Sequence, residues 1–200
     1  MSEQSKRKNS RSHGALNTRL IALRAQRKIA CSFPNQTKRL FLDEITCHLL
    51  DTLHQLIWHY TNSKKRTDTL VKQLIKTNVK LHVIVMSTGV KQQQEESITE
   101  CREMLRTAAL CLIRHVNSTS TEETCDLARI QAALRTAGTF ARAIAEGHMS
   151  QKSLDKLADI VMFMSDGGFL TALTSKQPPY NHLVIEIAQD LQDSIDRGIL

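Results

Sequence analysis

Aromatic residues are scarce in this 200-residue chain, with one Trp, two Tyr and five Phe. That is too few for the stacking platforms on which single-stranded nucleic acids are bound. Seven Gly and three Pro supply too few turns for a sandwich or barrel of many short strands, so the composition favours helices. Five Cys (Cys31, Cys47, Cys101, Cys111 and Cys125) form no C-x-x-C pair, which argues against a disulfide framework or a zinc ribbon. They read as reduced, mostly buried thiols. No apolar run approaches the roughly eighteen residues of a membrane span, and the basic N-terminus is not followed by the apolar stretch of a signal peptide. The expected location is cytoplasmic.

Catalytic signatures are missing too. There is no G-x-S-x-G, no phosphate-binding G-x-x-x-x-G-K-[ST], no dinucleotide G-x-G-x-x-G and no H-E-x-x-H, so the chain reads as a non-enzyme. Cys47, His48, His54 and His59 share one expected helix, but they scatter around it instead of lining one face as metal ligands must. No metal or cofactor is expected.

Charge is unevenly distributed. Within the first forty residues ten Lys and Arg face a single acid, Glu3, for a net +9, whereas residues 41–200 sum to −2. One end of the molecule is therefore suited to polyanions: an acidic bilayer, a phosphorylated headgroup, a nucleic acid backbone or an acidic protein segment. Residues 1–15 are polar and Ser-rich without apolar periodicity, and are expected to form a disordered basic arm. Its Lys6-Arg7-Lys8 run with Arg11 fits a nuclear-import role and a plain soluble arm equally.

Residues 16–200 form one domain in this reading. Leu16, Leu20 and Leu23 mark one stripe on a first helix, Ile21, Ala25 and Ile29 lie roughly opposite, and Arg24, Arg27 and Lys28 cluster on one side. After Pro34, apolar residues from Leu40 to Tyr60 recur at helical spacing, with Asp43 and Glu44 placed early against the helix dipole. A following helix carries Lys72, Lys76 and Lys80 as an i, i+4, i+8 stripe, which also suits an ordinary solvated face. The Gln-rich stretch to Gln94 reads as a loop, and a helix from about Ile98 bears Arg102 and Arg106. Further helices are expected over 127–146, 150–164 and 183–195, with a short helical turn at 169–174. Gly167 and Gly168 read as left-handed helix-ending residues. The architecture expected is all-α, an antiparallel bundle of six to seven helices around a hydrophobic core.

Laid out in this way, the chain resembles a divergent member of the tumour-necrosis-factor-alpha-induced protein eight family, also called the TIPE family. The resemblance is carried in order by Leu40-Phe41-Leu42-Asp43-Glu44 with Leu49-Leu50-Asp51-Thr52-Leu53, by Val71-Lys72-Gln73-Leu74-Ile75-Lys76, by Met149-Ser150-Gln151-Lys152-Ser153, by Met164-Ser165-Asp166 with Phe169-Leu170-Thr171-Ala172-Leu173, and by the closing Ile195-Asp196-Arg197-Gly198-Ile199-Leu200.

The resemblance implies a helical bundle with a hydrophobic cavity and a cationic mouth that binds, and in some members transfers, phosphoinositides or other anionic phospholipids. It implies peripheral contact with the plasma membrane, signalling-protein partners, no nucleic acid, and a part in apoptosis or survival signalling. Arg27, Lys28 and Arg102 fall on the family's basic positions, and Arg24, Lys72, Lys76 and Arg106 join them as headgroup candidates. Leu49, Leu53, Leu74, Leu105, Leu112 and Leu170 are expected to line the cavity. Ser87 or Thr88 stands where a second basic mouth residue would be, and the polar 117–124 segment replaces an aromatic, acidic one. An alternative stays open at this point: an adaptor of apoptotic or immune signalling whose interior is filled by its own side chains.

Overall fold

A computed structural model describes residues 16–30, 43–87, 92–118 and 126–200, with the side chains of 26–30, 87 and 92–94 left aside. The 1–15 arm, Ser87's side chain, Thr88, and most of the 117–124 segment lie outside the described residues. What is described is all-helical: α1 (Thr18–Ala30), α2 (Glu44–Thr61), α3 (Lys64–Ser87), α4 (Gln92–Asn117), α5 (Leu127–Ala145), α6 (Gln151–Met164), α7 (Gly167–Leu173) and α8 (Asn181–Asp196). The expected short turn after residue 168 is itself a helix, α7, which brings the number among the described residues to eight. None of the described helices is long and apolar enough to cross a membrane.

Local chemistry explains the helix ends. Asp43 caps α2 by accepting from the Thr46 N–H at 2.7 Å, and Asp126 caps α5 by accepting from Arg129 N–H at 2.9 Å. Asn62 ends α2 in the left-handed conformation, its N–H returning to the Trp58 carbonyl. Gly147, at φ +77°, supplies the same conformation after α5.

Two local expectations are corrected. The Gln-rich stretch is helical, because α4 begins at Gln92 and Gln is a good helix former. Gly167 and Gly168 do not end α6. They open α7 behind Asp166, whose carboxylate accepts from the Phe169 N–H at 2.9 Å. Gly168 is required there by close approach, since a Cβ would stand 2.7 Å from the Tyr60 hydroxyl oxygen. On α1 the buried side is Thr18 and Ala22, with Leu16, Ile21 and Ala25 against the core, while Leu20 is exposed. Of the two apolar stripes, the side with Ile21 and Ala25 packs on the core, Leu16 joins it, and α1 docks mainly on α3.

The main core joins Leu56, Ile57, Val71, Ile75, Ile130, Phe169, Leu170 and Leu183 from α2, α3, α5, α7 and α8. Three of the chain's eight aromatics meet at one place in it, with Tyr60, Phe163 and Phe169 ring centroids 4.8–6.1 Å apart. The Tyr60 hydroxyl donates to Asp166 at 2.9 Å, so one carboxylate both caps α7 and orients the ring that packs on it. A smaller cluster of Ala141, Ala145, Leu154 and Leu157 joins α5 to α6.

The α2–α8 pairing carries a titratable clamp. His48 Nδ1 and the Asp190 carboxylate lie 2.7 Å apart. The hydrogen bond and then the charge of Asp190 raise the His48 pKa above its ordinary value. A raised histidine pKa contributes stability that is fully present below the unfolded value of about 6.5 and is lost as pH rises through the folded value. The melting-temperature difference between wild type and His48→Gln should thus be greatest in mildly acidic buffer and shrink toward alkaline pH. A difference independent of pH would show that the pair does not titrate as described. With His48 58% exposed, the effect should be small.

Candidate lipid cavity and its cationic surroundings

A cavity of about 370 Å³ lies between α2, α3, α4, α5 and α6. Leu49, Leu50 and Leu53 face it from α2, Leu74, Ile75 and Leu81 from α3, Cys101 and Leu105 from α4, and Leu157, Ile160 and Val161 from α6. The volume exists because α5 presents small residues. Ala133, Ala137, Ala141 and Ala145 recur every fourth position and are all buried, and Ala137, Gly138 and Ala141 form that wall of the cavity. Residues at i and i+4 share a helix face, so this face brings α5 close to α4 while leaving space beside it. Gly138 and Val161 are in tight contact where α5 and α6 meet.

Among the described residues no charged side chain lines the cavity. The Cys101 thiol, whose pKa is pushed up by burial, donates to the Ala137 carbonyl at 3.4 Å. Leu105, 39% exposed, and Asn78, also exposed, are the wall residues that meet solvent. They mark an opening on the α3–α4 side.

Of the expected wall residues, Leu49, Leu53, Leu74 and Leu105 line the cavity. Leu112 and Leu170 do not: they are 3% and 1% exposed inside the main core. Leu112 sits two turns, about 10 Å, beyond Leu105 along α4, where Phe169, Leu170 and Leu183 belong to the same filled cluster. Among the wall residues missed by sequence reasoning are Leu50 and Ile75, Ala137, Gly138 and Ala141 on α5, and Leu157, Ile160 and Val161 on α6. The alanine spacing on α5 was a readable signal for Ala137 and Ala141.

The expected cations divide. Arg24 and Arg102 are exposed on α1 and α4, Arg102 next in sequence to the wall residue Cys101. Arg27 and Lys28 fall in the α1 backbone, with side chains outside the described residues. Arg106 donates to the Leu200 carbonyl oxygen at 3.3 Å, tying α4 to the chain end. Lys72 and Lys76 belong to neither the wall nor its α4 edge. They line a separate groove of about 250 Å³ between α3 and α6, with Lys80, Ser153 and Lys156. No described α1 side chain lines the cavity.

Lys72 also lies 3.6 Å from Asp68, which His54 Nε2 meets at 2.9 Å. Burial raises the Asp68 pKa, but the His54 hydrogen bond and the Lys72 charge outweigh it and hold the carboxyl below its ordinary value. His48 and His54 thus serve separate carboxylates.

Comparison with known proteins adds a second line of observation. The family model described as Tumor necrosis factor alpha-induced protein 8-like matches residues 16–198. A tumor necrosis factor alpha-induced protein 8-like protein of Drosophila pseudoobscura pseudoobscura is 24% identical over 179 residues, covering 89% of this chain and 94% of that protein. Protein salivary glands marred of Drosophila melanogaster is 23% identical over 179 residues, with the same coverage. Tumor necrosis factor alpha-induced protein 8-like protein 2 of Otolemur garnettii is 27% identical over 187 residues, covering 93% of this chain and 99% of that protein.

Proposed function

This chain belongs to the tumor necrosis factor alpha-induced protein 8-like family, and from that premise we propose that it binds an anionic phospholipid, with phosphoinositides the first candidates, and acts in signalling at the membrane surface. Family membership supports a role in signalling linked to cell death or survival, and the family is not a known enzyme family. The observation that carries the lipid reading is the uncharged cavity of about 370 Å³. It falls at the lower end of the roughly 300–1,000 Å³ typical of small-molecule sites, a size that favours part of one acyl chain over two complete ones. Each methylene moved from water onto this wall contributes about 0.8 kcal/mol, while a phosphorylated headgroup must stay outside with cations.

Arg24, Arg27, Lys28 and Arg102 are the proposed cations for a membrane-facing headgroup. Each Lys or Arg brought to an anionic surface contributes about 1 kcal/mol, and the +9 balance of the first forty residues supports peripheral contact with the plasma membrane. Transfer between membranes is a natural extension of such binding, and signalling proteins would be the downstream partners.

Native mass spectrometry of the purified protein, followed by organic extraction, tests the reading. A lipid-sized adduct that disappears on extraction and is recovered in the organic phase is the expected result. Protein that runs at its bare mass, with nothing extracted and no uptake from phosphoinositide vesicles, would overturn the proposal and leave the adaptor reading in its place.

A further inference from the structure

On their solvent-facing sides α5 and α6 form a further groove, of about 320 Å³, that the lipid reading leaves unused. Leu154, Leu157, Ala158 and Val161 make its floor apolar. Gly138 allows the two helices to approach there, since a Cβ at that position would stand 2.5 Å from Val161 Cγ1. Met162 stands at the α6 edge and is 68% exposed, more than any other large hydrophobic residue among those described. An unbranched thioether held in water beside an apolar floor is a side chain that reshapes itself to a partner. Gln131 of α5 donates to the Ser165 carbonyl at 2.7 Å and fixes one end of the helix pair.

The two edges of the groove differ in sign. Arg135 and Arg142 line it from α5 and are exposed, about two helical turns or roughly 10 Å apart. Among the described residues no carboxylate lies within ion-pair distance of either, and no acid lines the groove. On α6, Asp155 and Asp159 are exposed and share a helix face with Met162 at i, i+4 and i+7. An anionic bilayer or a nucleic acid drawn to the arginines would be repelled by these carboxylates one helix away. A protein segment can match both edges at once.

We infer that the α5–α6 groove docks an amphipathic helix of a partner protein, with carboxylates along the edge that meets Arg135 and Arg142, apolar residues on the floor, and basic residues toward Asp155 and Asp159. From Leu154 to Met162 the α6 side runs eight residues, about 12 Å, which matches the two turns over which the i, i+4 and i+7 anchors of a groove-bound helix repeat. Arginine suits the charged edge because its planar fork takes one carboxylate through two N–H donors. Gly138, Leu157 and Val161 belong to both this groove and the apolar cavity, yet the groove is complete whether or not lipid fills the cavity.

A phage-displayed library of helical peptides of about 20 residues, long enough to hold a helix, selected on the full chain provides the probe. Fluorescence anisotropy of the synthesised winners reads the affinity. Enriched sequences should carry Asp or Glu along one edge and apolar residues at i, i+4 and i+7. Arg135→Glu/Arg142→Glu should weaken their binding at least about tenfold, since like charges then face each other. Ala158→Trp, which fills the floor from an exposed position, should do the same without a charge change. Both variants should melt near wild type. Lys64→Glu/Lys65→Glu makes the same charge change on α3 and should bind like wild type. No enriched helix, winners without an acidic edge, or equal binding by both groove variants overturns the inference. A dimer in sedimentation that only the groove variants lose would overturn it in favour of a second copy. Flotation with phosphatidylserine vesicles that only the groove variants lose would overturn it in favour of a bilayer. Peptide binding by protein carrying no extractable lipid would leave the groove standing where the cavity proposal had failed.

Discussion

Leu105→Trp should weaken uptake of a fluorescent-acyl phosphoinositide by about 100-fold while the protein stays folded. Leu105 lines the cavity and is 39% exposed, so an indole can enter at the opening without being forced into a packed core. If the ring displaces three or four methylenes from the apolar wall, the loss is about 2.5–3 kcal/mol, which is about a hundredfold in Kd. Fluorescence titration in detergent-free buffer reads the affinity, and a thermal melt checks the fold. The melting temperature should be near that of wild type, because little well-packed surface is disturbed. Unchanged affinity in a folded variant would mean that acyl chains do not enter by this opening.

The second large effect is on stability. Phe169→Ala should destabilise the protein by about 3–5 kcal/mol, the range for emptying a buried phenyl site. Phe169 is 0% exposed and meets Phe163 and Tyr60 at centroid distances of 4.8 and 5.5 Å. Each kilocalorie lowers the melting temperature of a chain this size by about 2–4 °C, so a drop of about 10 °C is expected. Urea unfolding should show a lower midpoint at an unchanged slope, and Phe169→Leu should recover much of the loss by refilling the site. A midpoint unaffected by the alanine change would mean that Phe169 does not anchor α7 in the core. α7 would then be dispensable to the core.

The sites of these two effects were not equally legible in advance. Helices α2, α3, α5, α6 and α8 follow from apolar periodicity, and Asp43 was readable as the start of α2 because its cap is made three residues away. Gly168 was misread because its reason for being glycine is Tyr60, more than a hundred residues distant. Which of the two first-helix stripes packs was not legible, because α1 also packs through Thr18 and Ala22, and small residues give weak hydrophobic signals. Leu112 and Leu170 were expected on the cavity wall because apolar helix faces point inward; periodicity gives direction without depth. The lysine stripe was visible along α3, but its partner Lys156 lies on α6, and no local pattern connects them.

Reading the chain alone thus established the all-helical architecture, most helix positions, the family resemblance and the cationic N-terminal end. These rest on 3.6-residue periodicity, capping chemistry and composition, all carried by neighbours in sequence. The whereabouts of the cavity, the filled core around Phe169 and Leu170, and the gathering of four lysines around one groove became visible once the helices were packed. Each is a property of the space between elements, fixed by the volumes of side chains from several helices at once, and no single stretch of chain contains that information.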